Sequence, residues 1–230
     1  MPDNSQIRLN KFLAERLNVS RREADNLIAS GKVFVNKKPA ELGARIDKND
    51  KVCYNGNIIP FGVEYIFLAV NKPVGYACSK RRQGDTPTIY ELLPKKYQDL
   101  KTVGRLDKDS SGLILLTNDG DFAFRMTHPK FVKTKVYEVE INRELEPLHQ
   151  QMIVDYGIEI GDGVSRLGLA KIGESRKKWT VVMHEGRNRQ IRRTFEALGY
   201  KVIALERKQF GRYILSGLKP GEFEEVEKRF

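Results

Sequence analysis

The stretch Thr102-Val103-Gly104-Arg105-Leu106-Asp107-Lys108-Asp109-Ser110-Ser111-Gly112-Leu113-Ile114-Leu115-Leu116-Thr117-Asn118-Asp119-Gly120 decides how this chain is read. Its first half is a polar loop with two carboxylates and an arginine. Its second half is an unbroken apolar run, Leu113 to Leu116, bounded by turn residues, and that pattern predicts a buried strand. Asp107 is therefore expected on a loop fixed to a rigid wall, a position from which chemistry is often done, although solvated loop acids are commoner.

With 230 residues, 40% hydrophobic and 31% charged, the chain can bury a sizeable core in one large domain or two. Cys53 and Cys78 are too few for a disulfide framework or a zinc site, and His128, His149 and His184 are scattered. No metal is expected, and a reducing compartment is the simpler reading. Met1 to Gln6 lacks the pattern of a signal peptide, and no apolar run is long enough to span a bilayer, so a cytoplasmic protein with no membrane association is expected. The formal net charge of +11 points to a polyanion partner, nucleic acid before a membrane surface, with solubility the plain alternative.

Leu9, Phe12, Leu13 and Leu17 recur at helical spacing. Ser20-Arg21-Arg22-Glu23 reads as a capping box that starts a second helix, with Ala24, Leu27 and Ile28 inward and Gly31 as its stop. Val33 to Val35, a turn over Asn36 to Pro39, and Val52 to Tyr54 followed by Asn55-Gly56 and Ile58-Ile59 predict strands and a hairpin. Residues 1–60 carry eleven Lys or Arg against seven Asp or Glu, so this piece is +4 and the remainder +7. Arg21 and Arg22 fall in the first turn of the second helix, where backbone N–H groups and the helix dipole favour a phosphate; a solvated helix end is the alternative. Arg8-Leu-Asn-Lys-Phe-Leu-Ala-Glu15, Ser20-Arg-Arg-Glu-Ala-Asp25 and Gly31-Lys-Val-Phe-Val-Asn-Lys-Lys-Pro39 together resemble the RNA-binding domain named after ribosomal protein S-four, over about residues 7–54. That resemblance implies binding of structured RNA by shape and backbone. Phe61 to Glu64, short and following Pro60, is read as a linker.

Tyr65 to Asn71 is an apolar strand ended by Lys72-Pro73-Val74-Gly75, and Ser79 to Asp85 reads as a basic loop. Thr86-Pro87 is expected to start a short helix with Ile89, Leu92 and Leu93 buried. Asp121 to Met126 fits one or two helical turns. Thr134 to Ile141 alternates as a strand, with Tyr137 in phase with Lys135, Val139 and Ile141. A strand Tyr belongs to the core by default; its functional alternative is a ring stacked on a nucleobase. Leu145, Leu148, Met152 and Tyr156 predict a helix closed by Gly157. Leu167 to Ile172, Trp179 to Met183 and Val202 to Leu205 predict strands, and Pro220 to Phe230 is expected to be exposed.

A helix is expected from Arg187 to Leu198, capped by Gly199, with Ile191, Phe195 and Leu198 as its buried stripe and Arg189, Arg192 and Arg193 on an adjoining face. Four arginines within seven residues repel one another unless carboxylate or phosphate compensates them. Strands outnumber helices without a βαβ repeat, so the fold class is α+β with a mixed, mostly antiparallel sheet. No P-loop, dinucleotide motif or Ser-His-Asp set is found, which removes the common cofactor and hydrolase readings.

Lys72-Pro-Val-Gly75, Gly104-Arg-Leu-Asp-Lys-Asp-Ser-Ser-Gly-Leu113, Lys135-Val-Tyr137 and Gly186-Arg-Asn-Arg-Gln-Ile-Arg-Arg193 stand in the order seen in pseudouridine synthases. The chain resembles, over essentially its whole length, the RsuA-type branch that modifies ribosomal RNA. By that resemblance Asp107 is the catalytic carboxylate, attacking the target uridine at the ring or at the sugar anomeric carbon while the base detaches, turns and rejoins through carbon-5. Tyr137 matches the aromatic that packs on the target base and assists proton removal. Arg192 matches the basic residue paired with the catalytic Asp, which would keep it ionised. Ile191 would support the base from its other side.

Arg105 is a candidate for filling the gap or holding phosphate when the uridine is flipped out, with a salt bridge to Asp109 as its structural alternative. Lys72 and Arg189 are candidates for phosphate contact, or else scaffold. The resemblance implies no cofactor, since the reaction needs no redox agent, metal or phosphate donor. Two departures stand out: Thr194 lies where many relatives have Met, which touches packing, and Asp109 adds a second acid that would perturb Asp107 if the two came close.

The expectation is a stand-alone, monomeric RNA pseudouridine synthase. Its 1–60 module anchors structured RNA, ribosomal before transfer RNA; 61–64 is a linker; and 65–230 holds the active site. The wording of the Asp107 block leans towards large-subunit, RluF-like members. A non-catalytic RNA-binding or ribosome-assembly factor on the same fold would explain the charge equally, but not the intact Asp107, Tyr137 and Arg192. An RNA methyltransferase would need a nucleotide-binding glycine motif that is not found.

Overall fold

The computed structural model describes residues 6–62 and 64–230. The reading of Met1 to Ser5, and Val63 within the expected linker, lie outside the described residues. The chain divides into two compact units, Met1–Tyr65 with Asn118–Gly120 and Ile66–Thr117 with Asp121–Phe230. The first break between the units falls between Tyr65 and Ile66.

In the first unit β1 (Ile7–Arg8) leads into α1 (Leu9–Arg16) and α2 (Arg21–Ala29). The Ser20 hydroxyl accepts the Glu23 N–H at 3.1 Å and so caps α2. Leu9, Phe12 and Leu13 of α1 close one core with Ala24 and Ile28 of α2, while Arg21 and Arg22 stay exposed. The short strands β2 (Val33–Val35), β3 (Lys38–Pro39), β4 (Arg45–Ile46), β5 (Val52–Tyr54) and β6 (Asn57–Ile59) follow. They form a sheet in the order β3-β2-β5-β6, with β4 paired to β1. Asn55 and Gly56 take φ of +47° and +80°, the twist that a two-residue hairpin between β5 and β6 demands.

The second unit is built on β7 (Phe67–Lys72), β8 (Lys101–Val103), β9 (Ser111–Thr117), β10 (Lys135–Ile141), β11 (Ile158–Glu159), β12 (Val164–Ser165), β13 (Gly168–Lys171), β14 (Lys178–Met183), β15 (Val202–Phe210), β16 (Tyr213–Ile214) and β17 (Phe223–Glu225). Nine of these strands form one sheet along the path β13-β14-β10-β15-β9-β7-β17, with β8 on β9 and β16 on β15. The β15–β9 pairing is parallel and the other pairings in that sheet are antiparallel, so the mixed α+β expectation holds. The run that opened the reading is β9, and its alternate residues feed two cores. Ile114 and Leu116 join the large core with Trp179 and Phe195, while Leu113 and Leu115 join Phe122, Met126 and Phe210 on the other side. An unbroken apolar run is what a strand covered on both faces requires.

Where β9 meets β15, a Cβ on Gly112 would lie 2.4 Å from the Arg207 carbonyl oxygen, and Gly112 has φ +100°. Only glycine allows this approach, which sets the start of β9 and with it the loop carrying Asp107.

Several elements depart from expectation. The segment after Thr86 is a 3-10 turn, Ile89–Leu92, capped by Thr88, whose N–H meets Glu91 at 2.8 Å. The helix α3 spans Gly120–Thr127, whereas α4 (Pro147–Gln151) runs into a π-helical turn, Met152–Tyr156. The wider turn buries Ile153 and leaves Tyr156 exposed, and Leu148, ahead of it on α4, is exposed as well. The arginine-rich helix α5 is shorter than its pattern, Gln190–Glu196, because Arg189 adopts φ +47°, ψ +32° and starts it late. The polar end is largely exposed, yet β17 adds its backbone to the edge of β7. No helix among the described residues is long and apolar enough to cross a membrane.

Candidate active site

A cleft of about 630 Å³ opens in the second unit, lined among others by Cys78, Gly104 to Lys108, Ser110, Tyr137, Gly186 to Ile191 and Arg207. Each lining element arrives for a reason already in the fold. The Asp107 loop is held by the strand it precedes, Tyr137 sits on β10, an interior strand of the sheet, and Ile191 projects from the first turn of α5. Tyr137 and Ile191 are both nearly buried, so each offers the cleft only an edge of its side chain.

The Asp107 loop is tied down from several directions. Gly75 N–H donates to Lys108 O at 2.8 Å, Ser110 N–H to Asp107 O at 3.1 Å, and Leu106 N–H to Cys78 Sγ at 3.4 Å. Lys72 is fully buried, and its ammonium donates to Ser110 O at 2.6 Å, Pro73 O at 2.9 Å and Lys108 O at 3.4 Å. Of the two readings of Lys72 this favours scaffold over phosphate contact, because a cation sealed under the loop and occupied by three carbonyls has nothing left to offer solvent. Burial pushes the Lys72 ammonium below its ordinary range, with Cys78, Asp109 and Asp107 pulling the other way.

The arginines sort into two pairs. Arg187 and Arg193 meet Asp162 at 3.4 and 2.8 Å, and Arg187 also meets Glu185 at 2.8 Å. Arg189 holds Asp109 through two bonds of 3.1 and 3.2 Å and lies 3.7 Å from Asp107 Oδ2. The expected ion pair of Arg192 with Asp107 is not formed. Arg192 Nε lies 3.3 Å from Asp109 Oδ2, and its Nη atoms donate to Asp109 O at 2.7 Å and Val202 O at 3.0 Å. The physical reason is the late helix start: Arg192 falls on the first turn of α5 and reaches beneath the loop, while Arg189, ahead of the helix, lines the cleft. Asp107 lines it too, whereas neither Asp109 nor Arg192 is among its lining residues. Although burial opposes it, the Arg189 hydrogen bonds and the charges of Arg192 and Arg189 hold the Asp109 carboxyl below the usual carboxylate range.

Arg105 lines the cleft, is exposed, and makes no salt bridge to Asp109 or any other described acid. Thr194 is buried, its hydroxyl 2.8 Å from both Ser165 Oγ and Gln190 O, so its departure from the family pattern is absorbed as polar packing. Among the described residues no group of three or more His, Cys, Asp or Glu side chains is placed to hold a metal ion. What the arrangement offers is a carboxylate on a tied-down loop, flanked by an arginine, in a cleft that it shares with Tyr137 and Ile191.

The family model described as RNA pseudouridylate synthase matches residues 66–197, which contain the Asp107 loop, Tyr137 and α5. The chain belongs to the RNA pseudouridylate synthase family. It is thus an RNA-modifying isomerase, and its first unit carries an S4 domain, matched over residues 7–57. Ribosomal large subunit pseudouridine synthase B of Bacillus subtilis (strain 168) is 35% identical over 225 residues, covering 95% of this chain and 91% of that protein. The dual-specificity RNA pseudouridine synthase RluF of Escherichia coli (strain K12) is 36% identical over 230 residues, covering 98% of this chain and 77% of its own length. A crystal structure of a pseudouridylate synthase superposes with a TM-score of 0.68 at 30% identity, covering 96% of both chains.

For a pseudouridylate synthase, two residues of this cleft escape a reading of the sequence. Cys78 gives no signal beyond being a cysteine. Arg207 lies past Leu205, where the apolar pattern of β15 stops, and a buried arginine interrupts such a pattern instead of extending it.

Proposed function

We propose that this pseudouridylate synthase isomerises a specific uridine in ribosomal RNA, of the large subunit, with Asp107 as its catalytic residue. The observation that carries the reading is that Asp107, Tyr137 and Ile191, which are 84 residues apart at their extremes, line one cleft. Asp107 attacks the flipped-out nucleotide at the ring or at the anomeric carbon. The bond from the anomeric carbon to the base nitrogen breaks, the base turns, a bond from that carbon to carbon-5 replaces it, and the bond made by Asp107 breaks to return the free carboxylate. The proton lost from carbon-5 and the proton gained by the freed nitrogen balance, so no co-substrate is consumed.

Tyr137 packs on the base and assists removal of the carbon-5 proton, with Ile191 on the other side. Arg189 is the cation beside Asp107, and Arg192 acts through Asp109 as a positioning residue. Arg105, exposed and unpaired, fills the vacated stack or holds phosphate. Arg21 and Arg22 on α2 contact the backbone of structured RNA, a role that the S4 match supports. The large subunit is favoured by the name of the relative in Bacillus subtilis, although a 33% identical relative in Pasteurella multocida (strain Pm70) is named for the small subunit. We place the protein in the cytoplasm as a monomer, which sedimentation of the full chain checks.

Chemical mapping of pseudouridine in ribosomal RNA incubated with wild-type protein and with Asp107→Asn tests the reading. The wild type is expected to modify one large-subunit uridine, and the variant to bind the same RNA without modifying it. Pseudouridine made by the variant would sink the assignment.

A further inference from the structure

The cleft holds two cations that the reaction does not use. Lys135, two residues from Tyr137 on the same face of β10, is half-buried and donates to the Glu185 backbone carbonyl at 2.9 Å. Arg207 lies directly across from Tyr137 on β15 and is only 2% exposed. Its Nε donates to Leu113 O at 2.8 Å, and its Nη2 has no hydrogen-bond partner among the described residues.

Both cations sit against one ring: the Arg207 guanidinium carbon is 4.8 Å and the Lys135 ammonium 5.7 Å from the Phe210 centroid. No described carboxylate forms an ion pair with either. Glu185, the nearby acid, is already engaged by Arg187 at 2.8 Å. Lys133, His128 and His184 line the same cleft and add basic character. Two like charges over one ring in a half-buried site are tolerated at a cost, and among the described residues no carboxylate pairs with either to relieve it. Burial, reinforced by the charge of Arg207, holds the Lys135 ammonium below its ordinary range, with Glu185 pulling the other way.

We propose that Lys135 and Arg207 form an oxyanion subsite that takes the phosphodiester next to the target nucleotide. Lys135 is the accessible member that touches the phosphate, and Arg207 supplies charge from beneath. Two residues along a strand advance about 7 Å, so a base against Tyr137 carries its neighbouring phosphate towards Lys135. The inference rests on the proposed function.

The test uses the full chain and an oligoribonucleotide spanning the mapped uridine, with a neutral methylphosphonate placed in turn at each phosphate within two nucleotides on either side. For the wild type, neutralising one adjacent phosphate is expected to raise KM about tenfold or more, the loss of a charged hydrogen bond. Lys135→Gln is expected to raise KM for unmodified RNA similarly and to be indifferent to that same methylphosphonate. Its slope of log KM against log salt should fall by about 1. Lys135→Arg should restore both. Because Lys135 is half-buried and its carbonyl contact is at the cleft edge, the Gln variant is expected to fold, which its unfolding temperature verifies. If Lys135→Gln and every methylphosphonate act additively with an active wild type, the subsite is wrong. A wild type that leaves the uridine unchanged would overturn the proposed function and the subsite with it.

Discussion

Arg189 Nη1 stands 3.7 Å from Asp107 Oδ2 while the same guanidinium grips both oxygens of Asp109 at 3.1 and 3.2 Å. Asp109 therefore competes with Asp107 for one cation and is itself shared with Arg192. The arrangement leaves Asp107 with a partner that is close but not hydrogen-bonded, so its carboxylate keeps free lone pairs for attack.

The two arginines should separate by experiment. Arg189 is substantially exposed, and Arg189→Ala is expected to unfold near the wild-type temperature while turnover drops at least about tenfold, the effect of removing a neighbouring charge. Arg192 keeps only 11% of its side chain exposed and holds Asp109 O and Val202 O. Arg192→Ala is expected to cost about 2–3 kcal/mol of stability through the carbonyls and carboxylate it abandons. Thermal unfolding alongside single-turnover rates checks both; full turnover in Arg189→Ala would return the partnership with Asp107 to Arg192.

Asp109 makes a pH prediction whose sign is fixed. Its folded pKa lies below the ordinary 3.8, so the unfolded chain binds the proton more readily, and the ionised pair stabilises the fold above that value. That contribution is lost as pH falls from 3.8 through the folded value. With the side chain 46% exposed, solvent screening limits the gain to about 1 kcal/mol. The stability gap between wild type and Asp109→Asn, followed by denaturant titration, is expected to be constant near neutrality and to narrow below pH 3.8. A gap that widens in acid would contradict it.

Lys72 should behave as a rivet and not as a ligand contact. In Lys72→Met the carbonyls of Pro73, Lys108 and Ser110 lose their donor in a buried site, at a cost of about 2–4 kcal/mol. Turnover is expected to fall with kcat, because the loop under Asp107 loosens, while the salt dependence of RNA binding stays as in the wild type. A lowered salt slope would instead indicate a phosphate contact.

The sequence was informative wherever a pattern maps onto one local geometry. Leu113 to Leu116 reads as a strand because four apolar residues between polar turns need cover on both faces. Asn55-Gly56 reads as a hairpin because those residues accept positive φ. The site was legible as a set of residues but not as a set of partners. Which acid Arg192 meets depends on where α5 begins, and that depends on Arg189 taking a left-handed conformation for which an arginine gives no cue. For Lys72 the residue type leaves phosphate contact and scaffold equally open, and its role appears only once three carbonyls surround it. The stripe of α4 was misjudged because a π-helical turn breaks the 3.6-residue period on which the reading relied. The β17 edge strand is held by backbone pairing, to which side-chain polarity is blind.

Gly112 links the sheet to the chemistry and gives the sharpest structural prediction. It is the residue at which β9 passes the backbone of Arg207, and it follows the Asp107 loop by only a few positions. Adding a methyl group there places carbon 2.4 Å from Arg207 O and 2.6 Å from Arg207 N, backbone atoms that cannot rotate aside, and adds the strain of φ +100° for an L-residue. Gly112→Ala is expected to cost about 3 kcal/mol or more and to part β9 from β15 at their parallel contact. Because that contact fixes both Arg207 and the start of β9, turnover should fall further than the folded fraction does. Hydrogen exchange of the β9 and β15 amides, read beside single-turnover rates on the mapped RNA, checks the coupling. Wild-type protection of those amides in an inactive variant would mean that the glycine serves the loop directly, without the sheet.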